Sequence, residues 1–287
     1  MNRRGKISRF YAKFASVMLD MLKFSRKPYK LGLVLSGGGA RGFAHAGALK
    51  ALEDVGIKPD IVAGVSAGSV VTVMYASGLA PEEIIKVFSD AKFSDFAELG
   101  VPRDGFFSMD GFKKFLRRQV RYENIEDLPL PAVVCATDLD NNRPVAFTEG
   151  TLVDCVAASC SIPIIFKPVR IKGVTYVDGG VLANLPAWAL RDKCKYLIGI
   201  NCSPMPSRGK PKSLMDIAHR TYDLLVKNNS QAQMELCDLA ITIDDVASYK
   251  VFNLKEITRV FRSGYDNTLQ ALLDAGFTLR GERRKKK

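Results

Sequence analysis

The feature that most constrains this chain is a strand, a glycine-rich turn and a helix, written twice in succession. Leu31 to Leu35 is a short apolar run that ends in Ser36-Gly37-Gly38-Gly39-Ala40-Arg41-Gly42, after which Phe43 to Val55 has helical periodicity. Ile61 to Val65 then ends in a second glycine turn around Ser66, and Ala67 to Ser77 is again helical. Short apolar strands alternating with helices imply parallel pairing, with strands buried on both faces.

The same alternation continues downstream. Strand candidates are Ala132 to Thr137, Val145 to Thr148, Val169 to Val177, Tyr196 to Asn201 and Leu239 to Ile243. Helices are expected near 81–91, 110–120, 151–159, 213–237 and 254–274. The expected fold is an α/β three-layer α/β/α sandwich with a mainly parallel central sheet. It fills residues 31–279 as one domain, between an N-terminal extension (1–30) and a short tail (280–287). The stretch 93–110, with little periodicity, is expected to cover a site.

The net charge of +12 sits at the ends. Residues 1–30 carry nine basic residues against one acid, and residues 280–287 carry six against one, which leaves the body nearly neutral. A neutral body argues against a nucleic-acid groove built into the fold. The N-terminal segment 7–22 spaces Ile7, Phe10, Phe14, Val17, Met18 and Met21 as one helical face, with Arg3, Arg4, Lys6, Arg9 and Lys13 on other faces or just upstream. Lys13, Asp20 and Lys23 interrupt it, so it falls short of the roughly 18–20 apolar residues of a membrane span. It also lacks a small-x-small cleavage site for a signal peptide. Two readings follow: contact of residues 1–28 with an anionic membrane surface, or a leading helix packed on the domain. A cytoplasmic protein, peripheral at the inner membrane face, is the expected setting.

Six cysteines (Cys135, Cys155, Cys160, Cys194, Cys202 and Cys237) form no C-x-x-C pair and are expected to be free thiols rather than disulfides or metal ligands.

Two motifs carry chemistry. Gly64-Val65-Ser66-Ala67-Gly68 lies between a strand and a helix, as a nucleophile elbow requires, so Ser66 is the candidate nucleophile. The glycine loop before the first helix presents backbone N–H groups that suit a phosphate or an oxyanion. Gly37, Gly39 and Gly42 have dinucleotide-loop spacing, but the next strand ends in Ser66 where that reading needs an acid. An oxyanion hole is therefore favoured.

A serine nucleophile needs a base, and only His45 and His219 are available as histidines. His45 lies among Ala and Gly on a helix expected to be buried and reads as a core residue. His219 lies within a long helix, and a Ser66-Asp178-His219 triad is the alternative to a Ser-Asp pair. Asp178, in Tyr176-Val177-Asp178-Gly179-Gly180, ends a strand, where α/β sites gather.

Gly-Gly-Gly-x-Arg-Gly, Gly-x-Ser-x-Gly and Asp-Gly-Gly in this order resemble the patatin-like phospholipase family. The resemblance covers roughly residues 31–203, including the segments around Ser159-Cys160-Ser161-Ile162-Pro163 and Asn184-Leu185-Pro186. It implies Ser66 as nucleophile and Asp178 as base, oxyanion donors in Gly37, Gly38 and Gly39, and Arg41 bracing that loop beside Gly42. Gly64, Gly68, Gly179 and Gly180 belong to the elbow and dyad motifs. It further implies no cofactor or metal, a lipid acyl ester as substrate, and no need for either histidine. A non-catalytic phosphate or headgroup module is the remaining rival.

Overall fold

The computed structural model describes residues 27–89, 98–99, 105–205, 210–249 and 254–279. The amphipathic segment 7–22, most of the expected cover and the basic tail lie outside the described residues.

β1 (Tyr29–Leu35) leads through a 3-10 turn (Gly39–Phe43) into α1 (Ala44–Val55), and β2 (Ile61–Val65) into α2 (Ala67–Ala76). Then come α3 (Pro81–Ser89), α4 (Asp110–Gln119), β3 (Ala132–Asp138), β4 (Arg143–Phe147), α5 (Leu152–Cys160), β5 (Val169–Ile171) and β6 (Val174–Asp178). The chain continues through α6 (Ala187–Leu190), β7 (Cys194–Asn201), α7 (Leu214–Met234), β8 (Leu239–Thr242) and α8 (Ile257–Asp274). The sheet has the order β8-β7-β1-β2-β3-β6-β5, with β4 also on β3. Pairing is parallel from β8 to β3 and antiparallel where β3 meets β4 and β6, and where β5 meets β6.

The side-chain alternation of the strands sorts the two helical layers. Leu33, Leu35, Val62, Val134 and Ala136 face a core built with α1, α2, α3, α5 and α8. Val34, Ala63, Val65, Val133 and Cys135 face the other way, against Leu185, Leu190 and the α6 segment. The architecture is the expected three-layer sandwich, with one layer much thinner than the other. Among the described residues no helix is long and apolar enough to cross a membrane.

One strand departs from expectation. Val169 to Val177 is a hairpin, because Lys172 and Gly173 both take positive φ (49° and 85°) and reverse the chain between β5 and β6. Tight hairpin turns need that conformation at both central residues. The reversal makes β6 antiparallel to β3 and determines where Asp178 lands. β2 pairs β3 as far as Val65 opposite Cys135, and β6 takes over the same edge with Asp178 opposite Ala136. β4 occupies the other edge.

Candidate active site

Ser66 is the residue between β2 and α2, at φ 52° and ψ −126°. A non-glycine residue in that region is strained by roughly 1–3 kcal/mol and persists only when its surroundings hold it. The hold is visible: Ser66 N donates to Ser159 Oγ at 2.8 Å, Ser159 Oγ donates to Cys135 O at 2.6 Å, and Ser69 N and Oγ both donate to Ser66 O. The flanking glycines are required by close approach. A Cβ on Gly64 would strike the Gly68 carbonyl, and one on Gly68 would strike the carbonyls of Leu35 and Ser36. Ser66 thus sits at a helix N-terminus, whose partial positive charge favours an anion.

Asp178, fully buried, ends β6 beside this turn. Its Oδ1 accepts from Gly180 N at 2.7 Å. Its Oδ2 has no partner of good hydrogen-bond geometry among the described residues, although the hydroxyls of Ser66 and Tyr222 lie close enough to favour the charged form. Burial outweighs these contacts and raises its pKa from 3.8 to about 6. An orphaned oxygen next to the candidate nucleophile is poised to accept a proton. Tyr222 is held protonated by the same burial and by the Asp178 charge.

The glycine loop divides its amides between structure and open space. Gly37 N donates to Asn184 O at 3.1 Å, and Gly37 O accepts from the Ser36 and Ser203 hydroxyls. Among the described residues, Gly38 and Gly39 N–H have no acceptor, and both residues line a cleft with Ser66. Arg41 is buried and donates to the carbonyls of Tyr249, Pro204 and Ala247 at 2.8–3.3 Å, which ties the loop to the segments after β7 and β8. Gly42 packs against Ala67 at the start of α2.

His45 lies under the loop, fully buried. Its Nε2 is 2.8 Å from Ser36 O and its Nδ1 is 3.3 Å from Cys202 Sγ. A carbonyl only accepts, so Nε2 carries the hydrogen and Nδ1 accepts from the thiol. Burial lowers its pKa from 6.5 to about 4. This is the packed core histidine that its sequence context suggests. His219 faces Asp223 at 3.9 Å and lines the cleft that also holds Ser66, closer to the site than its mid-helix position suggests.

Sequence reasoning missed the inward face of α7. Tyr222 touches the Asp178 turn, Asn229 Nδ2 donates to the Gly180 and Val181 carbonyls, and Asn229 Oδ1 accepts from Asn184 N. The polar residues 222, 229, 230 and 233 recur at helical spacing, and that pattern was the available signal. On its other side Ser66 opens into an almost wholly apolar cavity lined by Phe43, Val70, Phe88, Met109, Phe112 and Phe166. All six cysteines are free, four of them buried.

Residues 33–191, just over half of the chain, match the family described as "Patatin-like phospholipase". YqhO of Bacillus subtilis is 29% identical over 233 residues, 69% of this chain and 80% of that protein. Lysophospholipase nte1 of Aspergillus fumigatus is 33% identical over 164 residues, 54% of this chain but 11% of the relative. Human patatin-like phospholipase domain-containing protein 6 is 33% identical over 165 residues, 55% of this chain and 12% of the relative. The chain thus spans only about a tenth of these two larger relatives. The solved structure of VipD from Legionella pneumophila superposes with a TM-score of 0.48 at 15% identity, covering 86% of this chain and 67% of that one. On the match over residues 33–191, the chain belongs to the patatin-like phospholipase family.

Proposed function

We propose that this chain hydrolyses acyl esters of lipids through a Ser66–Asp178 dyad. The observation that carries the reading is the juxtaposition of a strained serine at a helix N-terminus with a buried carboxylate that has one oxygen unpartnered. Family membership supplies the lipid class, and the apolar cavity beside Ser66 suits an acyl chain.

In the proposed course Ser66 Oγ attacks the ester carbonyl while its proton passes to Asp178. The oxyanion is stabilised by the unsatisfied amides of Gly38 and Gly39, since Gly37 N–H is already committed to Asn184. Collapse breaks the ester C–O bond, and the leaving alkoxide takes the proton from Asp178. Water then attacks the acyl-Ser66 carbonyl, giving its proton to Asp178, and the free acid departs with Ser66 reprotonated. A carboxyl group with a pKa of about 6 serves this exchange near neutrality far better than one at 3.8.

His219 lines the same cleft as Ser66, so the triad reading is tested alongside. Ser66→Ala and Asp178→Asn are each expected to lose at least about 10³-fold in turnover of a soluble p-nitrophenyl ester, whereas His219→Ala stays within about tenfold. Loss of activity in folded His219→Ala on the scale of Ser66→Ala would overturn the dyad. Failure of a fluorophosphonate to label Ser66 in folded protein would overturn the hydrolase reading itself.

A further inference from the structure

Helix α7 is amphipathic in the reverse of the usual sense. Its inward face is polar, with Tyr222, Asn229, Ser230 and Gln233 bonded or packed against the 178–188 segment, and only Val226 and Ser230 are buried. Its apolar residues face solvent over three turns: Leu214 is 80% exposed, Ile217 and Leu224 are each 51%, and Met215 and Leu225 exceed 40%. Leaving such a stripe in water is unfavourable, and contiguous apolar surface marks an interaction site.

The opposing wall adds a second, independent observation. Ile164 takes φ 73° while half exposed, a conformation that a β-branched residue adopts only under strain. Ile164 and Ile165 face Met215 and Leu225 across a shallow apolar trough. Ile162, His219 and Tyr222 line both this trough and the cleft that holds Ser66, so the two adjoin. Lys210, Lys212 and Lys227 are exposed and flank the stripe residues in sequence, and lysine stems of this length let ammonium groups reach past neighbouring apolar side chains.

We infer that this face, formed by the outer side of α7 and the Ile164 loop, docks the protein on a lipid surface carrying anionic headgroups. The inference rests on the lipid-hydrolase reading and deepens it. An apolar stripe with lysines beside it fits the boundary between headgroups and acyl chains, and its trough shares a wall with the cleft that holds Ser66. A lipid ester then crosses from the membrane to the nucleophile without passing through water.

The test is a triple variant, Leu214→Glu/Ile217→Glu/Leu224→Glu, in the full chain. Hydrolysis of soluble p-nitrophenyl butyrate should stay within about twofold of wild type. Co-sedimentation with phosphatidylcholine–phosphatidylglycerol vesicles and turnover of their lipids should each fall at least about tenfold. Ile164→Asn, which tolerates positive φ and so relieves strain rather than adding it, should lower vesicle turnover in the same direction and guards against misfolding of the triple variant. Vesicle binding and turnover equal to wild type in the triple variant would overturn the proposal and leave residues 1–28 as the membrane contact. A wild-type dimer that dissociates in the triple variant while vesicle turnover is retained would overturn it in favour of a second copy. Wild-type protein inert on the soluble ester as well would instead sink the hydrolase reading.

Discussion

Val65 and Asp178 occupy adjacent registers on one edge of β3, opposite Cys135 and Ala136, so β2 and β6 meet head to head. The meeting places Ser66 beside a carboxyl group that burial has pushed up to about 6. As the proposed base, Asp178 must be ionised to work. The kcat/KM for a soluble ester should therefore rise with pH around a midpoint near 6, level off above it, and fall about tenfold per unit well below it. Stability runs the other way. The folded pKa lies above 3.8, so this contribution to stability is fully present below 3.8 and is lost as pH rises through about 6. At pH 7 the ionised group withdraws roughly 3 kcal/mol. Asp178→Asn should be inactive yet melt higher than wild type at pH 7, and a lower Tm would contradict the account.

Tyr222 favours the charged form of Asp178 from the inner face of α7. Removing its hydroxyl in Tyr222→Phe should move the acid limb of kcat/KM upward by roughly half a unit to one unit and lower kcat. A role in packing alone would lower activity without moving that midpoint. The pH profile therefore separates the two.

Ser66 carries its strain in the backbone, independently of its hydroxyl. Ser66→Ala keeps the strain and Ser66→Gly releases it, so both should be inactive, with Gly the more stable by about 1 kcal/mol. Urea unfolding of the two inactive proteins reads the difference. Equal midpoints would mean that the elbow is relaxed.

His45 is accommodated beneath the glycine loop only while neutral, because protonation at Nδ1 removes its bond from the Cys202 thiol and buries a charge. Its folded pKa is depressed to about 4, so its contribution is present above 6.5 and is lost as pH falls through the window between 6.5 and about 4. The loss totals roughly 3 kcal/mol. His45→Gln, which keeps an N–H donor toward Ser36 O, should lack this slope. Asp178 titrates over an overlapping range with opposite sign, so the informative quantity is wild-type stability minus that of His45→Gln at each pH.

The parts of this molecule legible in sequence are those whose signal is local. Ser66 was readable because Gly64 and Gly68 bracket it between an apolar strand and a helix, and the close contacts that demand those glycines lie within the same turn. The β5–β6 hairpin was not, because Lys172-Gly173 is a weaker turn signal than Asn-Gly and the flanking apolar residues run on as one strand. The inner face of α7 was hidden for another reason. Its polar residues are buried against backbone amides and carbonyls of a loop distant in sequence, and no local pattern names that partner. The committed and open amides of the glycine loop were equally invisible, since Gly37, Gly38 and Gly39 are identical in sequence and differ only in what faces them.

The shared edge of β3 also governs when the molecule becomes competent. β2 arrives early in the chain and β6 only after α2 to α5, so a growing polypeptide exposes Ser66 long before Asp178 exists. Half of the proposed dyad is inert by itself. On the proposed dyad, a chain that ends before β6, or that fails to close the β5–β6 turn, has the serine without its proton acceptor in place.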